Sequence, residues 1–306
     1  MAEILSHIGS VEENMLNELG SKLELTDEER QVYPPPSSYP LRTYEDYTME
    51  NDPESKQAQT VSELPPTLQT YCKENLHEEI TKGVLRKKLS KMRHLCVTQA
   101  IKPEYLDEIM PEIIRGFHPQ QVQYNGGVAN VKAWKISTYL EVMPGGVPCT
   151  NPCLPLLDLC VPLLDCVDAM FTHWYKQQHA CNKPGQPKRT EPYKVKRVMN
   201  FITRYTAHPK EQALLKHVDG AGKVSGSAVL ALPIDRWTGP SSIMSFEGHG
   251  GGVRFWDGSA VPSKQTEVFY PTRSGDVAFI DRAVWHQADP ITKGTRWAMV
   301  IFYEVE

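Results

Sequence analysis

Residues 294–303 have the sequence GTRWAMVIFY, an apolar and aromatic run with one charge near its start. Its β-branched and aromatic residues favour a strand, in which Arg296, Ala298, Val300 and Phe302 share one face. A buried guanidinium is costly without an anionic partner, and a carboxylate can accept its N–H fork bidentately. We therefore expect Arg296 to point into a core and to bind the carboxylate of a ligand. The alternative is a structural ion pair with an acid of the chain itself, for which the candidates are Asp276, Asp281 and Glu304.

Short stretches of the same kind fill the chain from about residue 193 onward, separated by turns rich in Gly, Pro, Ser and Asp. Many short strands at regular spacing indicate a β-sandwich or barrel. The predicted strands are 195–206, 224–232, 242–246, 252–256, 267–270, 276–280 and 295–304.

The chain before residue 193 has a helical pattern instead. Apolar residues at helical spacing predict helices at 3–23, 67–99, 103–117 and 154–178, whereas residues 32–65 are rich in Pro, Ser, Tyr and acids. The predicted organisation is an N-terminal amphipathic helix (1–33), an extended linker-like segment (34–66), a helical region that packs on the core (67–192) and the all-β core (193–306).

Composition narrows the class of protein. The 306 residues are 40% apolar and 23% charged, as in ordinary globular proteins, and the net charge of −4 gives no basic excess for binding nucleic acid. No run of about 18 apolar residues occurs, so no membrane span is expected. The start of the chain lacks the features of a secretory signal, and seven cysteines is an odd number, so we expect a cytoplasmic protein with reduced thiols.

Cys149 and Cys153 could form half of a zinc site, but no second pair accompanies them, and buried structural thiols are the simpler interpretation.

Residues 216–220 read Lys-His-Val-Asp-Gly. At strand spacing, His217 and Asp219 point to the same side. His286 follows 69 residues after His217, just beyond the predicted strand 276–280. Two histidines and one carboxylate on a β scaffold form the facial triad of non-haem iron(II), which leaves coordination positions open. The alternative is a set of satisfied polar residues in a β-sandwich.

The order His217, Asp219, His286, with Arg296 ten residues further on, resembles the iron(II)/2-oxoglutarate-dependent dioxygenases, specifically their prolyl-hydroxylase-like branch. The resemblance covers roughly residues 193–306. It implies an α+β protein whose core is a double-stranded β-helix, the jelly-roll or cupin-like fold, flanked by N-terminal helices. It also implies that the triad binds iron(II), that Arg296 holds the distal carboxylate of 2-oxoglutarate, that O2 takes the remaining position, and that Tyr205 lies near the cosubstrate.

Further positions match the family pattern only in part. Residues 250–255 resemble its glycine-glycine strand start, and the turn at 275–279 resembles its proline-glycine-aspartate turn, with Ser274 in place of the proline. Residues 230–233 read Leu-Ala-Leu-Pro where many prolyl hydroxylases have Tyr-Leu-Asn, and Gly252 and Val253 replace an acid and a threonine. These departures leave the metal chemistry intact and speak against prolyl substrates.

The resemblance therefore implies an oxidoreductase that oxidises an unactivated C–H bond of a small molecule, with amino acids and carboxylates as candidates. The outcome is hydroxylation, desaturation or oxidative cyclisation, with release of succinate and CO2. The first alternative is a protein hydroxylase that acts on prolyl or other residues. The second is a non-catalytic, cupin-like sensor that binds a metal and a dicarboxylate. A hydrolytic zinc enzyme is weaker, because no general-base glutamate accompanies the histidines.

Several residues near the predicted site have two interpretations each. For His249, Trp256 and Trp285, one interpretation is a structural role and the other is a role in binding the substrate. Arg254 is an outward-facing charge or binds an acidic substrate. Asp281 and Arg282 form a surface turn or orient the metal-binding histidine.

Overall fold

The computed structural model describes most of the chain from residue 71 onward. The described residues are 71–117, 123–124, 127–128, 135–141, 154–179, 193–206, 216–219, 224–233, 251–291 and 295–306. Several predicted features lie outside them: the helix at 3–23, the segment at 32–65, the strand at 242–246, and the residues His249, Cys149 and Cys153.

Three helices occur in the described part of the chain: α1 (Leu76–Leu89), α2 (Pro103–Gly116) and α3 (Leu154–His179). Pro103 occupies the first turn of α2, where its missing N–H costs nothing. None of these helices has the length and apolar character needed to cross a membrane. The strands before residue 193 are β1 (His94–Val97), β2 (Gln123–Tyr124), β3 (Gly127–Val128) and β4 (Lys135–Glu141). The later strands are β5 (Val195–Thr206), β6 (Gly226–Ala231), β7 (Val253–Asp257), β8 (Thr266–Tyr270), β9 (Val277–Asp281), β10 (Trp285–Ala288) and β11 (Thr295–Val305).

Two antiparallel sheets form the core. The larger has the order β1-β9-β6-β11-β5-β4 and the smaller has the order β10-β7-β8, while β2 and β3 form a separate pair. Strands β5 and β6 belong to the larger sheet, β7 and β8 to the smaller, and β9, β10 and β11 then alternate between the larger and the smaller sheet. Between β5 and β6, His217 forms an isolated bridge with His286 of β10, at the edge of the smaller sheet. This path is a double-stranded β-helix, and the predicted α+β fold class is confirmed.

The alternation along β11 separates the outer face of the larger sheet from its inner face. Trp297, Met299, Ile301 and Tyr303 belong to the main apolar core that the helices cover. The ring of Phe171, in α3, stacks on that of Tyr303 with centroids 3.9 Å apart. Ala298, one position over, packs instead with Tyr205 on the other face. Arg296, Ala298, Val300 and Phe302 therefore line the inner face, as the sequence predicted.

The helix predicted at 67–99 is wrong at both ends within the described residues, because Cys72 forms a bridge with Ile101 and α1 begins only at Leu76. Helix α1 ends at Leu89, and Lys91 adopts a left-handed conformation (φ 61°) while the amide of Met92 bonds back to the carbonyl of Lys87. Residues 94–97 then pair with β9. The segment 67–192, predicted as helical, thus also contributes β1 and β4 to the larger sheet.

The described cysteines are free thiols, as expected. Cys72, Cys160 and Cys166 are buried and Cys96 is half-buried. The sulfurs of Cys72 and Cys166 lie 3.2 Å apart, and burial raises the pKa of the Cys96 thiol well above its ordinary value.

Gly252 begins the turn into β7 with a φ of +115°, and a Cβ there would lie 2.6 Å from the main-chain oxygen of Tyr270. Gly258 offers a matched control, because it also has a positive φ (+90°) but the atom nearest to a Cβ there would be the sulfur of Met92, at 3.5 Å, an ordinary contact distance. We expect Gly252→Ala to lower the free energy of unfolding by roughly 1–3 kcal/mol more than Gly258→Ala. Denaturant unfolding measures both losses, and equal losses would contradict the steric argument.

Candidate metal centre

The structure brings the three predicted metal ligands together. One ligand atom from each of His217, Asp219 and His286 can be chosen so that all lie within 4.8 Å of one another. Oδ1 of Asp219 lies 3.6 Å from Nε2 of His217 and 3.4 Å from Nε2 of His286. Metal–ligand bonds of about 2.1 Å place neighbouring ligand atoms about 3 Å apart, so a cation needs only small movements of these side chains. No other group of three or more potential ligands occurs in the part of the chain that the structure describes.

Main-chain pairing holds the two histidines side by side. The amide of each donates to the carbonyl of the other, at 3.0 and 2.9 Å. His286 is held further by β10, where it lies opposite Phe255 of β7. His286 and Asp219 are buried, whereas the side chain of His217 is 33% exposed. The centre therefore lies inside the β-helix and opens to solvent at His217.

The electrostatics of Asp219 favour its ionised form. Burial alone would raise the pKa of Asp219, but the charge of His286 and hydrogen bonds from His217, His286 and Ser227 outweigh it and hold the pKa far below its usual range. Burial likewise opposes a charge on His286, but the carboxylate of Asp219 is close enough to raise its pKa overall. A carboxylate that stays anionic at any ordinary pH is ready to bind a divalent cation.

His286 has a second contact that orients its ring. Its Nδ1 lies 3.1 Å from the carbonyl oxygen of Val284, so this nitrogen donates and Nε2 is left facing Asp219. A metal-binding histidine usually gives its other N–H to such an acceptor, which fixes the ring and its tautomer. The sequence left Asp281 and Arg282 with two interpretations, this role or a surface turn. The structure favours the turn, because Asp281 accepts from the amides of Ala283 and Val284 and contacts His179.

Ser227 is a site residue that the sequence did not reveal. It lies in β6, eight residues after Asp219, and its hydroxyl donates to Oδ2 of that carboxylate at 2.5 Å. The residue is fully buried. In the sequence, Ser227 is marked only by its place in a predicted strand, on the side that faces inward. Many other residues have such a place.

We expect Ser227→Ala to weaken metal binding about 10-fold or somewhat more without abolishing it, as for other partners of metal ligands. The hydroxyl orients Asp219 and does not reach the cation itself. Calorimetric titration of Mn²⁺ into the anaerobic protein measures the change. Ser227→Thr, which keeps the hydroxyl, is the control, and an unchanged affinity in the alanine variant would contradict the role.

Arg296 lies deep in the same interior. It is 1% exposed, its Nη1 donates to the carbonyl of Gly252 at 3.1 Å, and its guanidinium lies 5.3 Å from the ring centroid of Tyr205. Burial lowers the pKa of Arg296 from its ordinary value, and the nearby Tyr205 and Asp289 partly offset this effect. Tyr205 is opposite Arg296 in the pairing of β5 with β11, so both side chains face inward.

The acids of the chain that were alternative partners for Arg296 have other contacts. Asp276 accepts hydrogen bonds from the amides of Gln99 and Arg273, and Asp281 is engaged as described above. Glu304 lies at the far end of β11 and is exposed. Arg296 itself contacts Gly252 and Tyr205, and the acid that acts on its charge is Asp289.

The smaller sheet carries two tryptophans and an arginine on its outer face. Trp256 and Trp285 are opposite each other on its outer face, where the ammonium of Lys216 lies 4.2 Å from the ring centroid of Trp256. Arg254, also outward, forms ion pairs with Glu267 and Asp289. These three residues are therefore surface features of the smaller sheet and not part of the metal centre.

Comparison with known proteins gives structural matches only. No protein-family model matches the chain, and no curated protein matches it in sequence. Among solved structures, an oxidoreductase of the 2OG-Fe(II) oxygenase family from Burkholderia pseudomallei is 15% identical, with a TM-score of 0.48, over 76% of this chain and 92% of that chain. A prolyl hydroxylase from Trichoplax adhaerens, solved with a hypoxia inducible factor peptide fragment, is 13% identical (TM-score 0.49; 74% and 90%). The non-heme alpha ketoglutarate dependent carbocyclase SnoK from nogalamycin biosynthesis is 12% identical (TM-score 0.46; 81% and 87%). At these identities the likeness concerns the fold, and the chemistry of the site is argued from the residues of this chain.

The three residues fit a divalent cation. Two imidazoles and one carboxylate are the donor set of mononuclear non-haem iron(II) sites, and three protein ligands would leave such a cation positions for other ligands. The buried guanidinium of Arg296 supplies a fixed positive charge within the same interior.

Proposed function

We propose that this chain is an iron(II)- and 2-oxoglutarate-dependent oxygenase that oxidises an unactivated C–H bond of a small molecule. The observation that carries the proposal is the placement of the His217–Asp219–His286 cluster and the Arg296 guanidinium within one β-helix interior. A metal site alone would fit a hydrolase or a sensor equally well. A metal site together with an inward-facing guanidinium fits a cosubstrate that chelates the metal at one end and carries a carboxylate at the other.

Each residue has a separate task in this proposal. His217, Asp219 and His286 would hold iron(II), and Val284 and Ser227 orient two of these ligands. When bound, iron(II) and 2-oxoglutarate would supply the oxidising chemistry, in which decarboxylation to succinate and CO2 accompanies oxidation of the substrate by O2.

Arg296 and Tyr205 would bind the cosubstrate. Arg296 would pair with its distal carboxylate in an interior where charge-assisted hydrogen bonds are strong because water is scarce. Tyr205, buried between the guanidinium and β4, restricts the positions that Arg296 can take and forms one wall of the cosubstrate site. Since a guanidinium also binds other carboxylates, the choice of 2-oxoglutarate rests on the family resemblance of residues 193–306.

The outcome of the proposed oxidation is hydroxylation, desaturation or ring closure of a small molecule. A small-molecule substrate is favoured by Leu230, Ala231 and Leu232, which take the place of the Tyr-Leu-Asn run of many prolyl hydroxylases. Leu230 and Leu232 belong to the helix-covered core, and Ala231, opposite Ala298 of β11, brings no polar group to the inner face.

Anaerobic reconstitution tests the proposal. The protein is loaded with iron(II) and 2-oxoglutarate, exposed to O2, and assayed for oxygen consumption and succinate across amino acids, small organic acids and Pro-containing peptides. We expect one equivalent of bound metal and substrate-stimulated succinate release with one of the small molecules. Stimulation by the peptides alone would favour the protein hydroxylase. Binding of 2-oxoglutarate without any oxygen consumption would favour the sensor, and zinc-dependent hydrolysis would favour the hydrolase.

A further inference from the structure

A second cation lies on the inner face of the larger sheet. Lys135, the first residue of β4, is opposite Tyr205 of β5, which is itself opposite Arg296 of β11. Residues that are directly opposite in antiparallel strands have side chains on the same side of the sheet. Because Tyr205 and Arg296 face the interior, Lys135 faces it too.

The lysine side chain runs toward the metal centre. Its Nζ lies 5.5 Å from the ring centroid of Phe201, four residues before Tyr205 in β5. Phe201 is opposite Val300, and Val300 is opposite Val229, which is two residues from Ser227. With strands about 4.8 Å apart and a rise of about 3.4 Å per residue, the Cα atoms of Phe201 and Ser227 are roughly 12 Å apart. Phe201, which contacts the ammonium, and Ser227, which contacts the metal-binding carboxylate, are thus separated on the same inner face by about the length of one small organic molecule.

An apolar surface lies beside this ammonium. Tyr139, Met199 and Phe201 form a buried cluster on the inner face, and the partly buried Val300 and Phe302 pack against it. Among the described residues Lys135 contacts the ring of Phe201 and makes no hydrogen bond or ion pair. A half-buried ammonium beside an apolar surface gains most from an anionic partner, because few water molecules compete for it.

We propose that Lys135 binds an anionic group of the primary substrate, whose apolar part lies against the inner-face cluster of Tyr139, Met199, Phe201, Val300 and Phe302. The substrate class is then a small organic acid with an aromatic or branched aliphatic body. This inference rests on the proposed function, since it assigns binding of the cosubstrate to Arg296 and binding of the substrate to Lys135. The two cations are distinct anchors, because Arg296 lies against Tyr205 whereas the ammonium of Lys135 lies over Phe201.

Equilibrium binding to the full chain loaded with Mn²⁺ and 2-oxoglutarate tests the assignment. The probes are 3-phenylpropanoate and 4-methylpentanoate, each compared with its neutral amide in a calorimeter. We expect the wild-type protein to bind at least one acid roughly 10-fold more tightly than its amide, as for a charge-assisted hydrogen bond. Lys135→Met should remove this preference without changing the affinity for the amide, and Lys135→Arg should keep it. Lys194→Met, which removes an exposed lysine just before β5, is the control and should behave as wild type.

Three outcomes overturn the inference: a wild-type protein that binds neither acid better than its amide, an unchanged preference in Lys135→Met, or a loss of 2-oxoglutarate affinity in that variant. The last outcome would assign Lys135 to the cosubstrate. The proposed function fails by a separate measurement, when the wild-type protein binds neither Mn²⁺ nor 2-oxoglutarate before any probe is added. The two failures are therefore distinguishable.

Discussion

The Asp219→Ala variant is expected to lose iron(II)-dependent succinate formation by about 100-fold or more, a larger effect than the loss of a partner that only orients a ligand. Asp219 is the only anion in the proposed donor set, and both histidines face its Oδ1 atom. Without it, two neutral imidazoles remain, and a divalent cation at this buried position loses its charge compensation. Two measurements check the prediction: metal content after anaerobic dialysis, and succinate release with O2 and 2-oxoglutarate.

Asp281→Ala is the matched control for that experiment. The two aspartates have the same exposed fraction, 8%, but the carboxylate of Asp281, at the end of β9, contacts the amide of Ala283 and the ring of His179 and not the metal-binding histidines. We expect its variant to bind metal as the wild type does, even if its stability falls. Full metal occupancy and succinate release in Asp219→Ala would show that the His217–Asp219–His286 cluster is not the metal site.

The alternating pattern of the sequence was enough to predict that Arg296 faces the interior, because the residues on the opposite face of β11 are all large. Every second residue from Trp297 to Tyr303 is large and packs under the helices, so the intervening positions must face the interior. The distance in sequence between His217 and His286 was equally informative, since it spans the strands needed to return the chain to the smaller sheet.

The features that the sequence did not predict depend on pairing between distant segments. Strand β1 follows a basic helix and is only four residues long, and its assignment requires knowing that β9 has a free edge. Strand β10 is equally short and depends on β7. The contact of Ser227 with Asp219, and the row of Lys135, Tyr205 and Arg296, follow from strand register, which local propensity does not determine.

The second large effect is expected for Arg296→Met, which should raise the apparent KM for 2-oxoglutarate by roughly 100-fold or more while leaving metal affinity unchanged. Losing one partner of a buried, hydrogen-bonded charge pair costs about 2–5 kcal/mol, and every 1.4 kcal/mol is a factor of ten in affinity. Methionine keeps an apolar stem of similar length, so the inner face of β11 stays filled. Initial rates of succinate release against 2-oxoglutarate concentration give KM, and titration of Mn²⁺ gives the metal affinity.

Arg254→Met supplies the control, because Arg254 is also a strand arginine with carboxylate partners but lies on the outer face of the smaller sheet. A thermal shift separates a binding role of Arg296 from a structural one. A ligand that binds only the folded protein raises Tm by mass action. Addition of 2-oxoglutarate to the Mn²⁺-loaded protein should therefore raise the Tm of the wild type and of Arg254→Met further, but not that of Arg296→Met. If 2-oxoglutarate stabilises Arg296→Met as much as the wild type, the cosubstrate carboxylate does not bind Arg296, and the guanidinium in the β-helix interior has a structural role instead.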